Sequence, residues 1–285
     1  MTNGLPIGQA FICVTCGSQF APTVDPPPEC PICADPRQFI GLDGQRWTTL
    51  DELRSGHHNR IELGEPGLYS IHTEPAFAID ERAFLLQTPK GNVLWDCVAL
   101  LDQQTIETIR ELGGVAAIAI SHPHFYTTMV EWSVAFDNAP IHLHSADRRW
   151  VMRPHPNIRF WSGERMALLD DLMLAHTPGH FDGFQVLHWP AGAGGKGVLL
   201  SGDQPQVCMD RRWVSFMYSY PNFVPLDKES IQQIVDTLSP YAFDRIHGAF
   251  TRRTVASNAK EIVRRSAERF IRATIARSHG SGENE

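Results

Sequence analysis

The stretch Val115-Ala116-Ala117-Ile118-Ala119-Ile120-Ser121-His122-Pro123-His124-Phe125-Tyr126-Thr127 decides how the chain is read. An uninterrupted apolar run, Val115 to Ile120, follows Gly113-Gly114 and ends at Ser121. Such a run predicts a strand buried on both faces. Two imidazoles follow at once, flanking Pro123. A loop mounted on a strand end is held rigidly, and imidazole is a ligand for zinc or iron. The stretch therefore predicts a sheet that delivers metal ligands from its edge.

Further ligand-type residues stand downstream in similar settings. Leu172 to Ala175 leads to Thr177-Pro178-Gly179-His180; Gly197 to Leu200 leads to Ser201-Gly202-Asp203; Asp244-Arg245-Ile246 delivers His247-Gly248. Upstream, Ala83 to Gln87 and Asn92 to Asp96 flank Thr88-Pro89-Lys90-Gly91 and predict a hairpin. Helical patterns run over Thr105 to Leu112, Ser230 to Leu238, and an amphipathic stretch from about residue 256 to 277.

The order and spacing of His122, His124, His180, Asp203 and His247 resemble the metallo-β-lactamase superfamily, which includes glyoxalase II-like hydrolases and persulfide dioxygenases. The resemblance spans about residues 70 to 250. It implies an α+β fold, a four-layer αββα sandwich, and metal ligation by these five residues. The family's HxHxDH motif matches His122 and His124 but meets Tyr126 and Thr127 where Asp and His are expected. The resemblance implies a first metal on His122, His124 and His180. A second would need positions 126 and 127 with Asp203 and His247, so the expectation is a mononuclear site. Asp203 is expected to position or deprotonate water. Tyr126 is expected either to donate to a developing oxyanion or to plug the second site.

The first 33 residues hold two further pairs, Cys13-Val14-Thr15-Cys16 and Cys30-Pro31-Ile32-Cys33. Two tight turns of this kind can close a tetrahedron of thiolates around one ion. The segment resembles the rubredoxin-like module of rubrerythrins and related zinc ribbons, which hold iron or zinc. Residues 1–45 are thus expected to form a small metal ribbon, 46–277 the metallo-β-lactamase-like domain with a C-terminal helix, and 278–285 a disordered tail. Zinc is the expected metal at both centres, with iron as the alternative. Cys97 and Cys208 read as inert thiols in apolar surroundings, and His142, His144 and His176 as structural.

Composition bounds the remaining classes. With 42% hydrophobic and 20% charged residues the chain can bury a sizeable core, and a formal net charge of −7 disfavours nucleic acid as a partner. No run is long and apolar enough for a membrane helix, and the start lacks a signal-type apolar region, so a cytoplasmic location is expected. The leading expectation is a metal-dependent hydrolase that directs a metal-bound hydroxide at an ester, thioester, lactone or similar carbonyl. A non-haem iron oxidoreductase of the persulfide-dioxygenase type, using His122, His180 and Asp203, is the alternative; a non-catalytic member with a degenerate site is the third. The expected partner is a small molecule, acidic if Arg148-Arg149 or Arg211-Arg212 clamps it.

Overall fold

Two twisted sheets face one another, and a computed structural model describes them over residues 8–275. The first has seven strands in the order His58–Glu65, Leu68–Glu74, Arg82–Leu86, Val93–Trp95, Ala117–Ala119, Ile141–His144 and Ile158–Trp161. Its first four strands pair antiparallel, and from Val93–Trp95 onward the pairing is parallel. The second has six strands in the order Arg165–Ala167, Met173–His176, Gln185–Trp189, Val198–Gly202, Arg245–Gly248 and Thr254–Val255.

Side-chain alternation along the strands builds three apolar layers. Phe84, Leu86, Val93 and Trp95 of the first sheet meet Leu174, Leu187, Trp189 and Leu200 of the second in the middle layer. The alternate residues point outward. Leu85, Leu94 and Ile118 pack towards Ile109, Met129 and Trp132 of the helices Gln103–Glu111 and Met129–Ala135. Val186, Leu199 and Ile246 pack towards Ile231, Ile234 and Val263 of the helices Lys228–Leu238 and Ala259–Ile275. This is the expected αββα sandwich. Two of the helices start where Asp102 and Asp227 each cap an N-terminus, accepting from the N–H of Thr105 and Ser230. The long helical pattern is realised as Ala259–Ile275; its last expected residues and the tail 278–285 lie outside the described residues.

The cysteine segment folds against the sandwich. Ile12–Cys13 pairs antiparallel with Trp47–Thr48, so the expected boundary at residue 45 falls inside this pairing. Gly17 adopts φ +75, and a Cβ there would come within 3.3 Å of both Ala99 and Thr127. Only glycine therefore serves the turn and the close approach together. Gln19 N–H donates to the Thr127 carbonyl, Ser219 Oγ to the Arg37 carbonyl, and Asn222 Nδ2 to the carbonyls of Pro36 and Gln38. Among the described residues no helix is long and apolar enough to cross a membrane.

Candidate metal centres

Four loops at one edge of the sandwich carry the chemistry. Val93–Trp95 ends at Asp96, which adopts φ +60 and accepts the Ser121 N–H at 2.7 Å. That contact fixes the turn out of Ala117–Ala119, and Ser121 Oγ lies 2.9 Å from His122 Nδ1. His124 follows in the short helical turn Pro123–Phe125. From the second sheet, Met173–His176 leads to His180, whose N–H donates to Gln204 Oε1 at 2.8 Å. The Gln204 amide donates in turn to the Thr177 carbonyl, closing that loop. Val198–Gly202 ends beside Ser121: a Cβ on Gly202 would meet Ser121 Oγ at 2.7 Å, and its φ is +53. The two sheets approach closely enough here to place Asp203 against His122.

One ligand atom from each of His122, His124, His180 and Asp203 lies within 4.8 Å of all the others, and all four residues are buried. His122 Nε2 stands 3.5 Å from Asp203 Oδ2, and His180 Nε2 stands 3.4 Å from His124 Nδ1. His180 Nδ1 donates to the Tyr218 carbonyl at 2.8 Å, which leaves Nε2 with its lone pair. Among the described residues His122 Nε2 is buried without a hydrogen-bond partner. A buried, unpartnered imidazole nitrogen facing a carboxylate is costly unless a cation completes it. Burial is the main cause that holds all three imidazoles below their ordinary range, His180 at about 3. They are neutral at pH 7, the form that ligates. Burial alone would raise the Asp203 carboxyl, but His122 and His180 hold it low, so it stays ionised. Asp96 beneath is pushed by burial up to about 7. These residues fit a single metal ion.

The second centre fits as well. Cys13 and Cys33 Sγ are 3.6 Å apart, and Cys16 and Cys30 Sγ 3.7 Å, too long for disulfides. A tetrahedron with metal–sulfur bonds of about 2.3 Å has edges of about 3.8 Å, close to this spacing. The thiols are buried and crowded; hydrogen bonds from Cys16, Cys30 and Cys33 draw Cys13 down, while its proximity pushes Cys16 and Cys33 up. Gln45 donates to Cys13 Sγ at 3.2 Å and accepts the Cys30 N–H.

Two expected site residues are corrected. His247 is not in the ligand group. It pairs across the sheet with Leu200, whose side chain lies in the middle layer, so strand parity turns the imidazole between the sheets. There Nε2 lies 2.8 Å from Glu65 Oε1 and Nδ1 lies 3.1 Å from Thr254 Oγ1. A carboxylate only accepts, so Nε2 carries the proton and has no lone pair for a metal. Tyr126 is buried in the outer core and does not line the cavity above the ligands, which removes the expected oxyanion contact. Thr127 turns towards the ribbon, with its methyl beside Gly17. Neither position offers a ligand.

A cavity of about 460 Å³ opens over His124, His180 and Asp203. The ribbon supplies one wall through Val14, Phe39 and Arg46; Ile79, Tyr220 and Phe250 supply the other. The aromatic stretch Met209 to Tyr220, which follows Asp203, does reach the cavity through Tyr220, whereas sequence reasoning missed Arg46, Asp96 and Gln204. Only Asp96 had a visible signal, as the last residue of a predicted strand. The two Arg-Arg-Trp segments lie elsewhere: Arg148 stacks 3.7 Å over Phe160, Arg149 lies 3.6 Å from Asp182, and Arg212 pairs with Asp210. A larger cavity, about 690 Å³, between Arg165 and the helix Lys228–Leu238 does not include His122, His124, His180 or Asp203 in its lining.

Comparison with known proteins agrees with this fold. The chain is 52% identical to the uncharacterized protein YmaE of Bacillus subtilis (strain 168) over 265 residues, covering 92% of this chain and 96% of that protein. The metallo-β-lactamase DIM-1 superposes with a TM-score of 0.57 at 13% identity, covering 76% of this chain and 98% of DIM-1. A HARLDQ motif mutant of the metallo-β-lactamase from Cronobacter sakazakii (Enterobacter sakazakii) gives 0.50 at 18% identity, covering 78% and 99%. No family model matches the chain.

Proposed function

The chain belongs to the family that includes YmaE and carries the metallo-β-lactamase fold, and on that premise we propose that it is a metal-dependent hydrolase with a mononuclear centre. The observation that carries this is the group His122, His124, His180 and Asp203, with its buried unpartnered nitrogen on His122. His122, His124 and His180 would hold the ion and leave a position open for water beside Asp203, and the four cysteines would hold a second ion of structural character. Three neutral imidazoles with a carboxylate favour zinc over a two-histidine iron set.

When bound, such an ion supplies Lewis acidity towards a carbonyl oxygen and a water. The chain's own groups do the rest. Among the described residues Asp203 is the one carboxylate lining the cavity, so it is the group that takes a proton from the attacking water. Gln206 Nε2 donates to its Oδ1 at 3.3 Å and orients it. The Tyr220 hydroxyl is committed to the Asp203 carbonyl at 2.7 Å and braces that loop. In the reaction, the water oxygen bonds to the carbonyl carbon and the C–O or C–S bond breaks. The leaving alcohol or thiol takes one proton, and the new acid releases the other.

The test is elemental analysis of purified protein beside hydrolysis of a panel of 4-nitrophenyl esters and thioesters. Two zinc ions per chain and turnover that is lost in His180→Ala are expected. Iron retained at the histidine site would move the reading to oxygen chemistry. Full loading without turnover of any carbonyl substrate would leave a binding role in its place.

A further inference from the structure

We propose that the cysteine ribbon is the substrate-recognition wall of the metal centre, and that Arg46 binds an anionic group on a substrate with an apolar body. This deepens the hydrolase reading and rests on it for the reaction, though not for the binding. Arg46 is exposed, lines the cavity, and has no carboxylate partner among the described residues. The only carboxylate on the cavity wall among the described residues, Asp203, already faces His122 and Gln206. A guanidinium free at the mouth of an apolar cavity is suited to a carboxylate or phosphate.

The rest of the lining sets the body of the substrate. Phe39, Ile79, Tyr220 and Phe250 give an apolar surface above the ligands. A second depression shares Tyr220 and Phe250 with the first and continues to Met209 and Phe223, which are 80% and 83% exposed. Large apolar side chains left in water along one track beside a built site mark a binding groove. The ribbon side of this groove is fixed, not loose. Arg37 stacks 4.5 Å over Phe181 and 4.7 Å over Tyr218, and Asn222 holds the carbonyls on either side of it.

The substrate class is therefore an ester or thioester whose chain or ring bears an anionic group apart from the scissile carbonyl. Two probes separate charge from apolar contact: 5-phenylvalerate and its neutral counterpart 5-phenyl-1-pentanol, titrated calorimetrically into zinc-loaded full-length protein. The wild type is expected to prefer the carboxylate. Arg46→Ala should weaken it about tenfold, the alcohol should be unaffected, and Arg46→Lys should recover part of the loss. Arg211→Ala/Arg212→Ala should behave as wild type. Equal affinity of wild type and Arg46→Ala for the carboxylate, as when it sits on the histidine centre instead, would overturn the assignment, as would equal affinity of the wild type for both probes. Turnover of mono-4-nitrophenyl glutarate against 4-nitrophenyl butyrate reads the reaction separately. If neither is hydrolysed while the binding contrast stands, the hydrolase reading fails and the recognition wall survives.

Discussion

Glu65 and His247 are joined across the two sheets, Oε1 to Nε2 at 2.8 Å, and this pair removes from the metal centre the last imidazole that would serve a second ion. Arg245 lies 2.9 Å from the other Glu65 oxygen, and the Ala193 N–H reaches the same atom. Burial alone would raise this carboxyl; His247, Ala193 and Arg245 together bring it down to about 2.

Glu65→Gln should therefore destabilise the fold without changing metal content. A carboxyl held at about 2 rather than 4.5 contributes at most about 3 kcal/mol. Because the folded value is depressed, the contribution is complete above pH 4.5 and is lost as pH falls towards 2. Urea unfolding should show a gap between wild type and variant at pH 7 that narrows between pH 4.5 and 2.5. A constant gap would mean that packing, not charge, carries the loss.

His180→Ala should reduce the metal content from two ions per chain to one and leave the thiolate site loaded. Thiol titration with and without a chelator, beside elemental analysis, distinguishes the two centres. Loss of both ions would show that they are coupled through the fold.

Tyr126→Asp/Thr127→His restores the missing letters of the motif, yet should not add a third ion. Position 127 faces Gly17 of the ribbon, and His247 stays bound to Glu65. Metal content should remain at two per chain, with a lower melting temperature because the ribbon docks on residue 127. A measured content of three would mean that both segments rearrange readily.

Gly17→Ala should cost about 1–2 kcal/mol, from the left-handed backbone and the new contacts at 3.3 Å on Ala99 and Thr127. Thermal unfolding measures it. The same variant should weaken substrate binding more than metal binding, since it lifts the ribbon wall and not the histidines.

Much of the sandwich was legible because its signals are local. The apolar run before His122, the turn glycines and the order of imidazoles along the chain each reflect a neighbouring backbone constraint. The four cysteines were legible for the same reason. His247 was misread because its direction depends on parity against Leu200 and on a glutamate 182 positions away. The oxyanion role considered for Tyr126 fails because a motif gives order in sequence and not the side of the loop on which a ring packs. Arg46 could not be found at all: its meaning comes from a cavity formed with Phe250, and nothing in its own neighbourhood differs from an ordinary surface arginine.

The wall shared by ribbon and sandwich also has a consequence for biosynthesis. The ribbon's thiolates lie within a short segment and can capture an ion as soon as that segment leaves the ribosome. Its pocket face then waits for Asp203, Tyr220 and Phe250, which are translated much later. The cavity is thus among the last features of the molecule to close.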